Sequence, residues 1–358
     1  MNIISIIMAI FAIIGIIDRV FGCKLGLGKE FEKGFLILGQ ITLSMMGMII
    51  IAPVIADLLS PFFDLVYNTF KIEPSIIPAS IFANDMGGAP LAKEIAKNDT
   101  VGMFNAMVVS SMMGATISFT IPFALGCLTK EKQKDFTIGL LCGIVTIPVG
   151  CLISGIFCNI NIVTLLLNLM PLIIFAVLIA IGLILIPNVC IKIFNVLGII
   201  IKTIISLGLI LGITELLIGI KPIKSADDIF AAGSICINAA VVMSGAFPLL
   251  FVISKILSKP MEMLGNAIKI NKISTLGFIS TLANNVTTFE MMKDMDRKGT
   301  VLNSAFAVSA SFVLADHLAF TLAFEPSYLF PMIIAKITAG LSAILFAVII
   351  YKKTENNI

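Results

Sequence analysis

The chain has too little charge, too little histidine and no paired-cysteine pattern, and each shortage removes a class of protein. Only 13% of its 358 residues are charged, about half the ~25% of an ordinary soluble domain, so polar side chains cannot cover a water-facing surface. A single histidine, His317, leaves almost nothing from which to build a zinc centre. The seven cysteines contain no CxxC pair and most lie in apolar runs, where they read as structural thiols; no metal and no cofactor is expected. A net charge of +3 over so long a chain is no nucleic-acid footprint. The sequence also shows no nucleophile and base pair, no phosphate-binding loop and no metal cluster, so an enzyme is not expected, nor direct ATP drive.

What is present in excess is apolar surface: 59% of residues are hydrophobic and the mean hydropathy is +1.11. The natural solvent is a lipid bilayer. Runs of the length a helix needs to cross ~30 Å of hydrocarbon fall at 2–22, 35–57, 101–127, 137–157, 163–186, 196–219, 229–254, 300–324 and 329–351. The first lacks a basic leader and a small-residue cleavage site and is read as a transmembrane helix rather than a signal peptide. Two further segments are apolar at both arms and polar or glycine-rich at the centre: 74–97, around Asn84, Asp85, Gly87 and Gly88, and 272–298, around Asn284, Asn285, Thr287 and Thr288. Backbone that leaves a helix at membrane depth is tolerated only inside protein or beside a water-filled cavity, so each is expected to be a re-entrant hairpin or a broken helix.

The chain repeats itself. A shift of 200 positions matches Ala83 to Ala283, Asn84 to Asn284, Lys93 to Lys293, Thr100 to Thr300, Ser111 to Ser311 and Ala115 to Ala315, among other pairs. Basic residues then decide the relative orientation, because basic loops stay in the cytoplasm. With both awkward segments re-entrant, the loops hold 17 basic residues on one side and 5 on the other. With both crossing, the division weakens to 13 against 9. The expectation is therefore an all-α polytopic membrane protein with inverted-topology repeats and an elevator-like architecture. Residues 1–160 form the first repeat, 161–195 a connecting transmembrane helix and 196–358 the second repeat.

In such transporters the substrate site lies near the midplane where discontinuous helices meet. The candidate binding residues are Asn84, Asp85, Gly87 and Gly88 from the first hairpin, Asn284, Asn285, Thr288 and Phe289 from the second, and Asp316 and His317 from the following span. Ionisable groups at membrane depth face a pathway or pair with one another, and Lys336 is a candidate partner for Asp316 and His317. Glycines allow close backbone approach, amides offer hydrogen bonds, and Phe82 and Phe289 offer ring faces to a cation. Each also has a structural reading: helix packing for the glycines and phenylalanines, and interhelical hydrogen bonding for the asparagines.

The segments DMGGAPLAKE, SMMGATISFTIPFALG, GIVTIPVGC, TLANNVTTFEMMKDMDRKG and AFAVSASFVLADHLAF together resemble the ethanolamine utilisation permeases, the EutH family, from about residue 30 to residue 345. The resemblance implies a multi-pass protein of the bacterial cytoplasmic membrane that imports ethanolamine for breakdown to ammonia and acetaldehyde. Ethanolamine titrates near a lysine, about 10, and is a small cation at neutral pH. A carboxylate such as Asp85 or Asp316 suits its ammonium and an asparagine amide suits its hydroxyl. The partners expected are this solute, the bilayer and a second copy of the chain in a homodimer. Carriage of another small polar solute with an ion, or a receptor or scaffold role, are the competing readings.

Overall fold

The computed structural model describes residues 3–355, and these are helical with no strand among them. Among the described residues, eight helices are long and apolar enough to cross a membrane: α1 Ile3–Val20, α2 Leu27–Phe70, α5 Asp99–Cys127, α6 Lys130–Phe157, α7 Ile162–Leu185, α8 Pro187–Ile218, α9 Ile229–Ile268 and the last, α14 Leu329–Glu355. Between α2 and α5 lie two short helices, α3 Ile76–Ile81 and α4 Gly88–Ile95. Between α9 and α14 lie four: α10 Lys272–Ala283, α11 Asn285–Met291, α12 Arg297–Ala310 and α13 Asp316–Phe324.

The last two correct the sequence reading. A single span over 300–324 is expected from its unbroken hydrophobicity, but the helix stops at Ala310 and restarts at Asp316. Phe312 adopts a left-handed φ of 62° in the gap. The backbone groups freed there are not orphaned: Phe312 N–H donates to the Thr281 carbonyl at 3.1 Å and Leu314 N–H to that of Leu282 at 2.9 Å. An irregular segment inside an apolar environment is stable only when its polar backbone is satisfied in this way. At the position 200 residues earlier, α5 does not break but widens into π-helical turns over Asn105–Gly114 and Thr116–Thr120.

Both awkward segments fold back on themselves. Glu73 accepts the backbone N–H of Lys97 and that of Asn98, each at 2.9 Å, so the two ends of the α3–α4 unit are tied together. Burial pushes the Glu73 carboxyl up from its usual range, while those N–H donors pull it back down. Asp296 closes the α10–α11 unit in the same manner, accepting the Asn271 backbone N–H at 2.9 Å and the Ser274 hydroxyl at 2.6 Å. Each clasp coincides with a helix start, because Asn98 caps α5 through Val101 N–H and Asp296 caps α12 through Gly299 N–H.

The hairpins open at opposite ends of the bundle. Helix α6, about 42 Å long at 1.5 Å per residue, is the ruler. Near its start, Lys132 Nζ donates to the Met295 carbonyl at the base of α10–α11. Near its end, Ser154 donates to the Pro331 carbonyl, and Tyr328 next to it donates to the Thr100 carbonyl beside the base of α3–α4. Small residues let α6 sit at the centre: a Cβ on Gly139 would lie 2.1 Å from the Val301 carbonyl oxygen of α12, and one on Gly150 would lie 2.2 Å from that of Ala335 in α14. Helices α1, α7 and α8 lie at the periphery and turn rows of leucine and isoleucine outward.

A candidate substrate-binding cavity

The first hairpin leaves helical geometry at Phe82, passes through extended Ala83 and makes one tight turn over Asn84–Met86. Gly87 then takes a φ of 108°, and a Cβ there would stand 2.1 Å from Met48. Glycine is required on both counts. Helix α4 begins at once, with Gly88 N–H donating to the Ala83 carbonyl at 2.7 Å. The second hairpin breaks at one residue, Asn284, whose backbone is extended (φ −158°) and whose side chain caps α11 by accepting Val286 N–H at 2.7 Å. Both tips are fastened to the same turn of α5: Ala83 N–H donates to Ser118 Oγ at 3.1 Å, and Asn285 Nδ2 donates to Thr120 Oγ1 at 3.0 Å.

Between the tips lies a cavity of about 290 Å³. Its polar wall is formed by Asp85 from the first tip, Asn284 from the second, Asp316 and His317 from the first turn of α13, and Gln40 and Ser44 from α2. Met45, Phe119, Met243 and Phe312 supply apolar surface. His317 Nε2 stands 3.9 Å from Asp85 Oδ1, its ring lies 5.3 Å from that of Phe312, and its Nδ1 is buried without a hydrogen-bond partner. Asp316 sits where the α13 dipole favours negative charge. Two carboxylates face one cavity, with the buried Lys336 amine acting on Asp85 from outside the lining, and the carboxylates together make a place for a small cation.

Of the residues singled out in the sequence, the structure brings Asp85, Asn284, Asp316 and His317 to this wall. It does not bring the others. Gly87 and Gly88 shape the tip. Asn84 is fully buried on the tip, with neither side-chain atom hydrogen-bonded. Asn285 ties the second tip to α5, and Thr288 bonds to Thr281 across the hairpin at 3.0 Å. Phe289 offers no free ring face, being packed edge-on against Phe136 at 5.6 Å and stacked near Phe123 at 6.3 Å. Lys336 does not pair with Asp316 or His317; its fully buried amine donates to the Ser111 carbonyl at 2.5 Å in the π-helical stretch of α5. Gln40 and Ser44 are wall residues that the sequence reading missed, although two polar side chains four apart in an otherwise apolar run mark one helix face.

A second cavity, of about 610 Å³, adjoins the first and shares Ile37, Asn284 and Asp316 with it. It runs toward the end of the bundle where α10–α11 opens, between Glu30 and Lys33 of α2, the stretch of α9 from Phe247 to Ser258, and Leu276 to Ala283 of α10.

Comparison with known proteins places the sequence in a family. The profile described as "Ethanolamine utilisation protein, EutH" matches residues 1–350. A Listeria monocytogenes protein named "Probable ethanolamine permease EutH" is 42% identical over 96% of this chain and 92% of its own length. An Escherichia coli protein of the same name is 35% identical over 99% of this chain and 96% of its own. The "Uncharacterized protein YxeR" of Bacillus subtilis is 35% identical over 94% and 91%. No solved structure matches.

Proposed function

The chain belongs to the EutH family of ethanolamine utilisation proteins, and from that premise we propose that it is a membrane permease for ethanolamine whose ammonium is held in the cavity between the two hairpin tips. The observation that carries the reading is the meeting of Asp85 and Asp316 on one wall with the Asn284 amide beside them. A monocation with a hydroxyl two carbons away needs a counter-charge and a hydrogen-bonding partner at short range. The carboxylates offer the first, and Asn284, Gln40 and Ser44 offer the second.

The repeat organisation belongs to the same proposal. Residues 1–160 and 196–358 act as inverted-topology repeats joined by the helix within 161–195, and their hairpins are re-entrant. Supporting this are the two clasps at Glu73 and Asp296, the opening of the hairpins at opposite ends of α6, and the departure from α-helix at Ser111 and Ser311, 200 positions apart. The end that carries Lys130, Lys132, Lys269, Lys272, Lys293, Arg297 and Lys298 faces the cytoplasm by the positive-inside rule. The membrane is the bacterial inner membrane. Alternating access comes from elevator-like movement of the hairpin elements against the peripheral helices, with a homodimer formed through the latter.

Proteoliposomes containing the purified chain test the function. Saturable uptake of radiolabelled ethanolamine, competed by unlabelled ethanolamine and not by ethylene glycol, is expected. Uptake no greater than in protein-free vesicles, from protein shown to be folded by thermal unfolding, overturns the proposal.

A further inference from the structure

The second cavity contains a chemical coincidence that the permease reading does not use. Two of its wall residues are phenylalanines, one helical turn apart on α9, and each already carries a primary ammonium over its ring. Lys33 Nζ lies 5.0 Å from the centre of Phe247, and Lys255 Nζ lies 4.1 Å from the centre of Phe251. Lys33 Nζ also stands 3.7 Å from the Glu30 carboxylate, itself a wall residue. Phe247 is buried, with 8% of its surface exposed, so its ring is held in place by the core, whereas both lysines are exposed and reach their rings, Lys33 that of Phe247 and Lys255 that of Phe251, on flexible stems. Hydroxyl side chains, Ser254, Ser258 and Ser280, line the same space.

We propose that the ring faces of Phe247 and Phe251, with the Glu30 carboxylate, form a second ammonium subsite in this vestibule, at which a solute amine displaces the tethered amines of Lys33 and Lys255 on its way between the central cavity and the adjoining end of the bundle. The inference rests on the permease reading for the identity of the solute. Its own ground is that the lysine head group and the solute head group are the same chemical species, so surfaces that accept one accept the other. Asp316 and Asn284 line both cavities, which makes them the boundary between the two stations. Ring faces bind an ammonium far less tightly than a buried carboxylate does. A weak subsite beside a strong one suits passage, because a cation must be able to leave as well as enter.

The chain has no tryptophan and three tyrosines, so Phe251→Trp introduces a sole tryptophan, excited selectively at wavelengths where tyrosine does not absorb, that is also the strongest aromatic partner for a cation. It is placed in full-length purified protein carrying Asp85→Asn, which removes one counter-charge of the central cavity. Ethanolamine is expected to change the fluorescence saturably, and ethylene glycol, which is uncharged, is expected to leave it unchanged. Adding Lys33→Gln and Lys255→Gln should lower the half-saturating concentration at least about threefold, since two tethered competitors are gone. A silent tryptophan with and without the lysines, or an equal response to ethylene glycol, overturns the subsite. As an independent readout, Phe247→Leu with Phe251→Leu should raise by about threefold the half-saturating ethanolamine concentration for transport from the vestibule side; an unchanged value counts against the proposal. Wild-type vesicles that take up no ethanolamine defeat the permease reading instead, a result distinct from a silent tryptophan in uptake-competent protein.

Discussion

Replacing Asp85 by asparagine isolates the charge of the first hairpin tip, because the amide keeps the shape of the carboxylate. Among the described residues the basic group within ion-pair distance of Asp85 is His317, at 3.9 Å, and the buried Lys336 amine acts on the carboxylate from farther away, while Asp85 itself lines the cavity in which a cation would sit. Breaking a buried ion pair by removing one partner costs about 3–5 kcal/mol, because the other charge is left desolvated and unanswered. At about 1.4 kcal/mol per tenfold, that is a loss of affinity from roughly a hundredfold to several thousandfold. Isothermal titration of ethanolamine into purified wild type and Asp85→Asn, with thermal unfolding as a check on folding, reads the difference directly. Asp316→Asn should retain some binding while impairing transport, since Asp316 lies at the start of α13 beside His317 rather than on a hairpin tip. An affinity in Asp85→Asn within about threefold of wild type would refute the assignment, and loss of binding in Asp316→Asn alone would move the ammonium to the second repeat.

Three further outcomes are expected. Glu73→Ala removes the acceptor of two backbone N–H groups at about 1.5–3 kcal/mol for each charge-assisted bond, so hydrogen exchange at Lys97 and Asn98 should accelerate while exchange in α10–α11 does not. Gly139→Ala puts a methyl 2.1 Å from the Val301 carbonyl oxygen and must part α6 from α12, an overpacking cost of about 1–3 kcal/mol that appears as a lower thermal midpoint; an unchanged midpoint would mean that this helix contact is looser than described. Cysteines at Lys132 and Lys298 should react with an impermeant reagent from the cytoplasm only, and one at Asn159 from outside only. Labelling of Lys298→Cys from outside would overturn the inverted arrangement.

The long passes were legible because a membrane span needs only length and hydrophobicity, and both hairpins were legible because a polar centre between apolar arms has no other stable home. The gap at Ser311–Ala315 was not. Its residues, Ser-Phe-Val-Leu-Ala, continue the apolar run without a glycine or proline to mark a stop, and what permits the break is remote: the carbonyls of Thr281 and Leu282 on α10. The widened turns of α5 are hidden for the same reason. Asp85 and Asp316 stood out as charges in apolar surroundings, whereas Gln40 and Ser44 enter the cavity through the rotational setting of α2 against the tips. Phe289 shows the opposite failure, an aromatic beside a polar centre that the fold spends on packing against Phe123 and Phe136. Lys336 was recognisable as an intramembrane charge, but its acceptor, a backbone carbonyl of a π-helical stretch, has no signature in side chains.

The most direct test of the central claim is a structure of the purified protein determined at saturating ethanolamine. The account predicts the solute between the two hairpin tips, its nitrogen within hydrogen-bonding reach of Asp85 or Asp316 and its hydroxyl turned toward Asn284, Gln40 or Ser44. Ethanolamine bound elsewhere in the bundle, with the cavity at Asp85 and Asp316 unfilled, would contradict it.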